Sequence, residues 1–160
     1  MKIIIADSST LITLLDTNNA SLLFELFEEI IITDEVYEEI TYNLYHKDRV
    51  DNYLLSNQFK LIAIEHNEMY EMLRKRLDAG ESESIALAKK LQLPLIIDER
   101  KGRKIAKSMG VTIIGFVGIV LKLLEKKIIT KSRAIKIVHQ VEENDFRLSG
   151  GLKGLIYDFE

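Results

Sequence analysis

Short unbroken runs of Ile, Leu and Val alternate along the chain with longer segments in which apolar residues recur every three to four positions. The runs at Lys2 to Ala6, Ile30 to Thr33, Leu95 to Ile97 and Thr112 to Ile114 predict strands, and Phe59 to Ile64 reads as a strand or an extended connector. Between them the spacing predicts helices over Ser8 to Leu15 and Ala20 to Glu29, the latter with Leu22, Leu23, Leu26 and Phe27 on one face. Asp34 is placed to cap a helix carrying Val36, Tyr37 and Ile40, with weaker helical patterning continuing through Tyr53 and Leu54. Further helices are expected over Asn67 to Leu77 and, after an interruption at Ala79-Gly80, over Glu81 to Leu91 with Ile85, Ala86 and Ala88 facing the core. Arg100 to Met109 reads as a helix closed by Gly110, Phe116 to Glu125 as one entered through a turn at Gly115, and Lys131 to Glu143 as the last, followed by a glycine-containing tail over Ser149 to Gly154.

Apolar runs without a polar alternation suit strands covered on both faces, so the expectation is an α/β chain: a three-layer α/β/α sandwich around a central parallel sheet. With 160 residues and no linker, repeat or low-complexity tract, residues 1–160 read as a single domain. The absence of cysteine excludes disulfides, thiolate zinc sites and a cysteine nucleophile. The first apolar run meets Asp7 too early for a signal-peptide core or a membrane span. The resulting expectation is a cytoplasmic protein without membrane attachment.

In open parallel sheets ligands sit beyond the carboxyl ends of the strands, which directs attention to the residues after each run. Asp7 ends the first and Asp98 the Leu95–Ile97 run, so parallel strands would bring both carboxylates to one edge. The helix after the second strand carries Glu35, Glu38 and Glu39, and the helix after Gly80 carries Glu81 and Glu83 in its first turn. Taken singly, such residues also serve as solvated charges or as partners of a helix dipole. Together, anions converge on one place only if cations neutralise them or their pKa values rise. Hard oxygen donors select Mg²⁺ or Mn²⁺, ions that hold a phosphodiester and lower the pKa of a bound water. Ser8, Ser9 and Thr10 add small hydroxyls that either orient ligands or cap the following helix.

The net charge of −3 argues against binding nucleic acid by bulk positive potential, while the pairs Lys75-Arg76, Arg100-Lys101, Arg103-Lys104 and Lys126-Lys127 remain as local phosphate contacts or solvated helix faces.

Four passages in order carry a resemblance: Ile4-Ile5-Ala6-Asp7-Ser8-Ser9, Val36-Tyr37-Glu38-Glu39-Ile40, Gly80-Glu81-Ser82-Glu83-Ser84-Ile85-Ala86-Leu87-Ala88, and Leu95-Ile96-Ile97-Asp98-Glu99-Arg100-Lys101-Gly102-Arg103. Over roughly residues 1–124 the chain resembles the PIN-domain family, within it the small prokaryotic PIN-like toxins of the DUF3368 type. The resemblance implies Mg²⁺- or Mn²⁺-dependent endonucleolytic cleavage of RNA, a toxin role with a small antitoxin protein as partner, and a homodimer. It implies Asp7, Glu39, Glu83 and Asp98 as catalytic residues, with Glu81 as the rival of Glu83 and Glu99 as the rival of Asp98 among the metal ligands, and Ser8 and Ser9 in support. Glu99 stands where this branch commonly has an aspartate.

Other α/β readings lack their residues. Asp7 has no acidic neighbour for a phosphotransfer receiver, position 9 is Ser9 rather than the second aspartate of a haloacid-dehalogenase phosphatase, and neither a dinucleotide fingerprint nor a P-loop occurs. His46, His66 and His139 show no metal or triad spacing and read as surface or packing residues. Two functional alternatives remain: a PIN-fold module that binds RNA or protein without cutting, and a nuclease directed at DNA. Tyr37, Tyr42, Tyr45 and Phe116 read either as base-stacking platforms or as core, and Ile135 and Val138 on the last helix either as dimer contacts or as intrachain packing.

Overall fold

A computed structural model describes residues 2–160. Five strands form one wholly parallel sheet: β1 (Ile3–Ala6), β2 (Glu29–Thr33), β3 (Phe59–Ile62), β4 (Leu95–Ile96) and β5 (Ile113–Ile114), in the spatial order β3-β2-β1-β4-β5. The Phe59 segment is a full edge strand, paired from Ile30↔Phe59 to Thr33↔Ile62. The chain builds outward from β1 to β3 and then crosses back to place β4 on the other side of β1. That reversal leaves a crevice at the carboxyl ends of β1 and β4, where Ala6 is aligned with Ile96 and the Asp7 N–H donates to the Ile96 carbonyl at 2.9 Å.

Period-two alternation sends each buried strand's side chains into two different cores. Ile4, Ala6, Ile30, Ile32 and Ile96 join one with α1 (Ser8–Asp16), α2 (Asp34–Thr41), α3 (Leu44–Leu55), α7 (Phe116–Glu125), α8 (Lys131–Glu143) and α9 (Gly150–Tyr157). Ile5, Ile31, Leu95 and Ile97 join the other with α4 (Glu68–Arg74), α5 (Ala79–Leu91) and α6 (Arg100–Ser108). The outcome is the expected three-layer α/β/α arrangement. Among the described residues no helix is long and apolar enough to cross a membrane.

Several local expectations change. The segment expected to be helical over Ala20 to Glu29 is a 3₁₀ helix that ends at Glu25, because the Lys2 carbonyl accepts from the Glu28 and Glu29 amides and pulls the chain into the sheet. Thr33, not Asp34, caps α2 by accepting from the Val36 N–H, since Thr33 is also the last ladder residue of β2. The helical stretch through Leu54 is broken at Tyr42-Asn43, where Asn43 caps α3. The glycine-containing tail is helix α9, capped by Ser149 and anchored by fully buried Ile156. Ala79-Gly80 does not interrupt a helix but opens α5, which Asp78 caps by accepting from the Glu81 N–H at 2.8 Å.

Phe59 marks where β3 joins the core: its ring lies 5.1 Å from Tyr53 and 5.9 Å from Phe24. Phe59→Ala should lower the free energy of unfolding by roughly 3–5 kcal/mol, read as a reduced urea midpoint with an unchanged slope.

Candidate active site

Strand β1 delivers Asp7 into the crevice as the residue that starts α1; the carboxyl is buried and its Oδ1 has no hydrogen-bond partner. Burial, first of all, and the charges of Glu39, Asp78 and Asp98 push its pKa up to about 7, against the Ser8 backbone N–H that lowers it. Across the crevice α2 presents Glu39, whose Oε2 accepts from the Ser8 hydroxyl at 2.8 Å. Burial raises the Glu39 pKa too; the Ser8 bond opposes this, and the charges of Asp78, Glu35 and Glu83 add to it. Glu38 points to solvent.

The first turn of α5 separates the two candidate glutamates by two positions, which on a helix means nearly opposite directions. Glu81 turns toward Asp7, Asp78 and Glu99. Its Oε2 is buried without a partner, and desolvation followed by interactions with those three carboxyls raises its pKa to about 9. Glu83 turns toward the start of α2 instead. Its Oε1 accepts the Glu35 backbone N–H at 3.0 Å, at the start of α2, and its Oε2 lies 2.7 Å from His66 Nε2. Glu83 is therefore a braced neighbour of Glu39, while Glu81 belongs to the basin.

A similar division separates Asp98 from Glu99. The Asp98 carboxylate accepts the Thr10 hydroxyl and, through both oxygens at 3.0 Å, the Phe116 N–H. Burial raises its pKa against those bonds and the Arg103 charge. Glu99 caps α6 by accepting from the Gly102 N–H at 2.7 Å. Although burial pushes its pKa up, the Gly102 and Lys101 amides, Glu81 and the Lys101 charge outweigh it and hold the carboxylate below its ordinary value.

Two glycines make this crowding geometrically feasible. A Cβ at Gly80 would collide with Glu39 Oε1, and one at Gly102 would stand 2.7 Å from Glu81 Oε2. Of the remaining expected residues, Ser8 is buried and bonded to Glu39, and Ser9 Oγ is buried without a partner. Tyr42 and Tyr45 are exposed at the α2–α3 junction, whereas Phe116 is fully buried and Tyr37 donates to Asp51 at 2.7 Å.

Two members escaped the sequence reading. Asp78 was legible in principle, because an aspartate three residues before Glu81 has capping-box spacing. His66 carried no local signal, since its partner Glu83 lies on another element. His46, by contrast, packs inside against Asp16 Oδ1 at 2.5 Å, and His139 is on the surface.

Among the described residues no group of three His, Cys, Asp or Glu side chains is already arranged as a ligand set for a metal ion. The donor chemistry nevertheless fits a hard divalent cation: the basin holds only carboxylate and hydroxyl oxygens, and Asp7 Oδ1 and Glu81 Oε2 are buried with nothing to bind.

A family model described as PIN domain (DUF3368) matches residues 3–157. Among solved structures, a PilT N-terminus domain protein from the hyperthermophilic archaeon Sulfolobus solfataricus P2 is similar at a TM-score of 0.49 and 21% identity, over 78% of this chain and 95% of that chain. No curated protein matches the sequence.

Because the folded Asp7 holds its proton up to about pH 7 and the unfolded one only to about pH 4, the native state binds the extra proton between those values. Stability of the metal-free protein therefore falls as pH rises through that window. Asp7→Asn should remove the penalty. In chelator, its melting temperature should match wild type near pH 4 and exceed it by at least about 2–4 °C at pH 8, the shift that roughly 1 kcal/mol produces in a domain of this size.

Proposed function

Because the chain belongs to the PIN-domain family, whose members are generally metal-dependent nucleases, we propose that it is an endoribonuclease whose basin takes up Mg²⁺ or Mn²⁺. The observation that carries this reading is the pair of buried, unpartnered oxygens, Asp7 Oδ1 and Glu81 Oε2, among carboxyls whose pKa values are raised. Such a site is costly as it stands and becomes favourable when a cation replaces the missing counter-charge.

Asp7, Glu39 and Glu81 would hold the ion or ions, with Glu99 and Asp98 at the rim. A bound divalent ion supplies charge neutralisation at the phosphodiester, a water of lowered pKa and stabilisation of the leaving oxygen. The chain's own groups set the geometry. The Ser8 hydroxyl fixes the rotation of Glu39, Thr10 and the Phe116 amide fix Asp98, and the Glu35 amide with His66 fixes Glu83. With pKa values raised to about 7 and about 9, Asp7 and Glu81 would give up bound protons on ligating a cation, so uptake of the ion should strengthen as pH rises. Helix α6 leaves the basin at Glu99 with Arg100, Lys101 and Lys104 exposed, placing cations where flanking phosphates of a single strand would pass.

The same reading makes the protein the toxin of a toxin–antitoxin pair, with a small antitoxin as partner and a homodimer as the working form. Exposed Tyr42, Leu44 and Tyr45 at the α2–α3 junction are apolar surface suited to such contacts.

Purified protein should cut single-stranded RNA in Mn²⁺ and leave a matched DNA oligonucleotide intact, and EDTA should abolish cutting. Asp7→Asn and Glu81→Gln should reduce cleavage below detection. Glu83→Gln should cost about 10–100-fold, as a supporting group does. Full activity of folded Asp7→Asn would sink the proposal, and RNA binding without metal-dependent cleavage by wild type would favour the non-cutting module. In cells, growth arrest on induced expression should vanish with Asp7→Asn.

A further inference from the structure

The flank of the basin beside Glu83 ends in a histidine held in an unusual setting. His66 lies between β3 and α4, directly before Asn67, which caps α4 by accepting from the Tyr70 N–H. Its ring lies flat on that of Tyr70, with centroids 3.7 Å and planes 4° apart. In the plane of the ring, Nε2 meets Glu83 Oε2 at 2.7 Å. Tyr70 and Glu83 are both buried, so the two restraints come from groups that cannot move freely. Stacking fixes the tilt of the imidazole and the hydrogen bond fixes its rotation, yet half of the side chain, 50%, stays open to solvent.

A surface residue that served only to brace Glu83 would need the hydrogen bond but not the stack. A flat ring with one face covered by a buried aromatic, the other open and both rotations restrained, is the form of a stacking platform whose ordering cost has been met in folding. It stands one hydrogen bond from Glu83, whose charge reaches Glu39 in the basin.

We propose that the open face of His66 is a nucleobase subsite, on which an unpaired base of the RNA strand stacks beside the phosphodiester held at the carboxylates. The subsite rests on the nuclease reading of that basin and specifies its substrate: a base can lie on His66 only where it is unstacked from one neighbour, so the strand must be single at that nucleotide. Because every base offers a π-face, stacking here sets strandedness and register rather than base identity.

The test uses full-length Asp7→Asn protein, which keeps the RNA uncut, and fluorescence anisotropy of a labelled single-stranded oligoribonucleotide in Mn²⁺. Adding His66→Ala should weaken binding by roughly 5- to 150-fold, the range that one base–aromatic stack supplies, while His66→Phe, which keeps the flat ring and loses the bond to Glu83, should bind nearly as the parent does. Moving a single abasic nucleotide along the oligomer should reveal one position that weakens the parent by the same factor and leaves the His66→Ala protein unaffected, a non-additivity that a bracing role would not produce. Unchanged affinity of His66→Ala, equal losses in Ala and Phe variants, or the absence of any such abasic position would overturn the subsite while leaving the nuclease reading intact. If the wild-type protein in Mn²⁺ neither binds nor cuts the oligoribonucleotide, the nuclease reading fails and the subsite fails with it.

Discussion

Carboxylates crowded at one buried sheet edge cannot all be ionised without a counter-charge, and this constraint organises everything around the carboxyl ends of β1 and β4. Asp7 is buried because it is the next residue after a strand whose Ile4, Ile5 and Ala6 are covered, and it cannot retreat to solvent without unthreading the sheet. Glu81 is buried because the whole first half of α5 lies against that sheet. The cost appears as raised pKa values, to about 7 at Asp7 and about 9 at Glu81, with burial the largest cause at each.

The sheet keeps this arrangement in place. Each of β1, β2 and β4 is locked from both faces, with Ile5, Ile31, Leu95 and Ile97 on one side and Ile4, Ile30, Ile32 and Ile96 on the other. A one-residue slip in register would exchange the two cores, so the positions of Asp7 and Asp98 relative to one another are set with little freedom. Gly80 and Gly102 then let helices α5 and α6 come close enough for Glu39 and Glu81 to occupy space that a methyl group would deny them.

Around the basin, a second set of groups restrains the carboxylates that are not left open. Asp98 is tied to α1 and α7 through Thr10 and Phe116, and Glu83 is tied to α2 and to the segment leading into α4 through the Glu35 amide and His66. These bonds draw on α1, α2, α7 and the segment leading into α4, from both helical layers, so the site acts as the joint at which the layers meet. That coupling explains why helix termini rather than loops supply most of the polar contacts. Thr33, Asp78 and Glu99 each begin a helix at the same edge of the sheet, and parallel strands guarantee that this edge is the carboxyl one.

The amino-acid sequence by itself determined the layers, the parallel sheet and the edge on which Asp7 and Asp98 emerge, because unbroken apolar runs and the residues that end them are local features with a period. It also marked Asp7, Glu39, Glu83 and Asp98 as a family-like set, with Glu81 and Glu99 as the rivals of Glu83 and Asp98. Only the tertiary structure decided which of each pair faces the basin, since the rotation of α5 and the capping of α6 follow from packing against the sheet rather than from spacing. The same holds for His66, whose partner carboxylate is 17 residues away, and for Asp98, restrained by a threonine 88 residues distant. The tail helix α9 is a further case: its glycines argue for a loop, and the burial of Ile156 overrides them. Contacts of this kind are properties of the folded surface that apolar periodicity builds, and no window along the chain contains them.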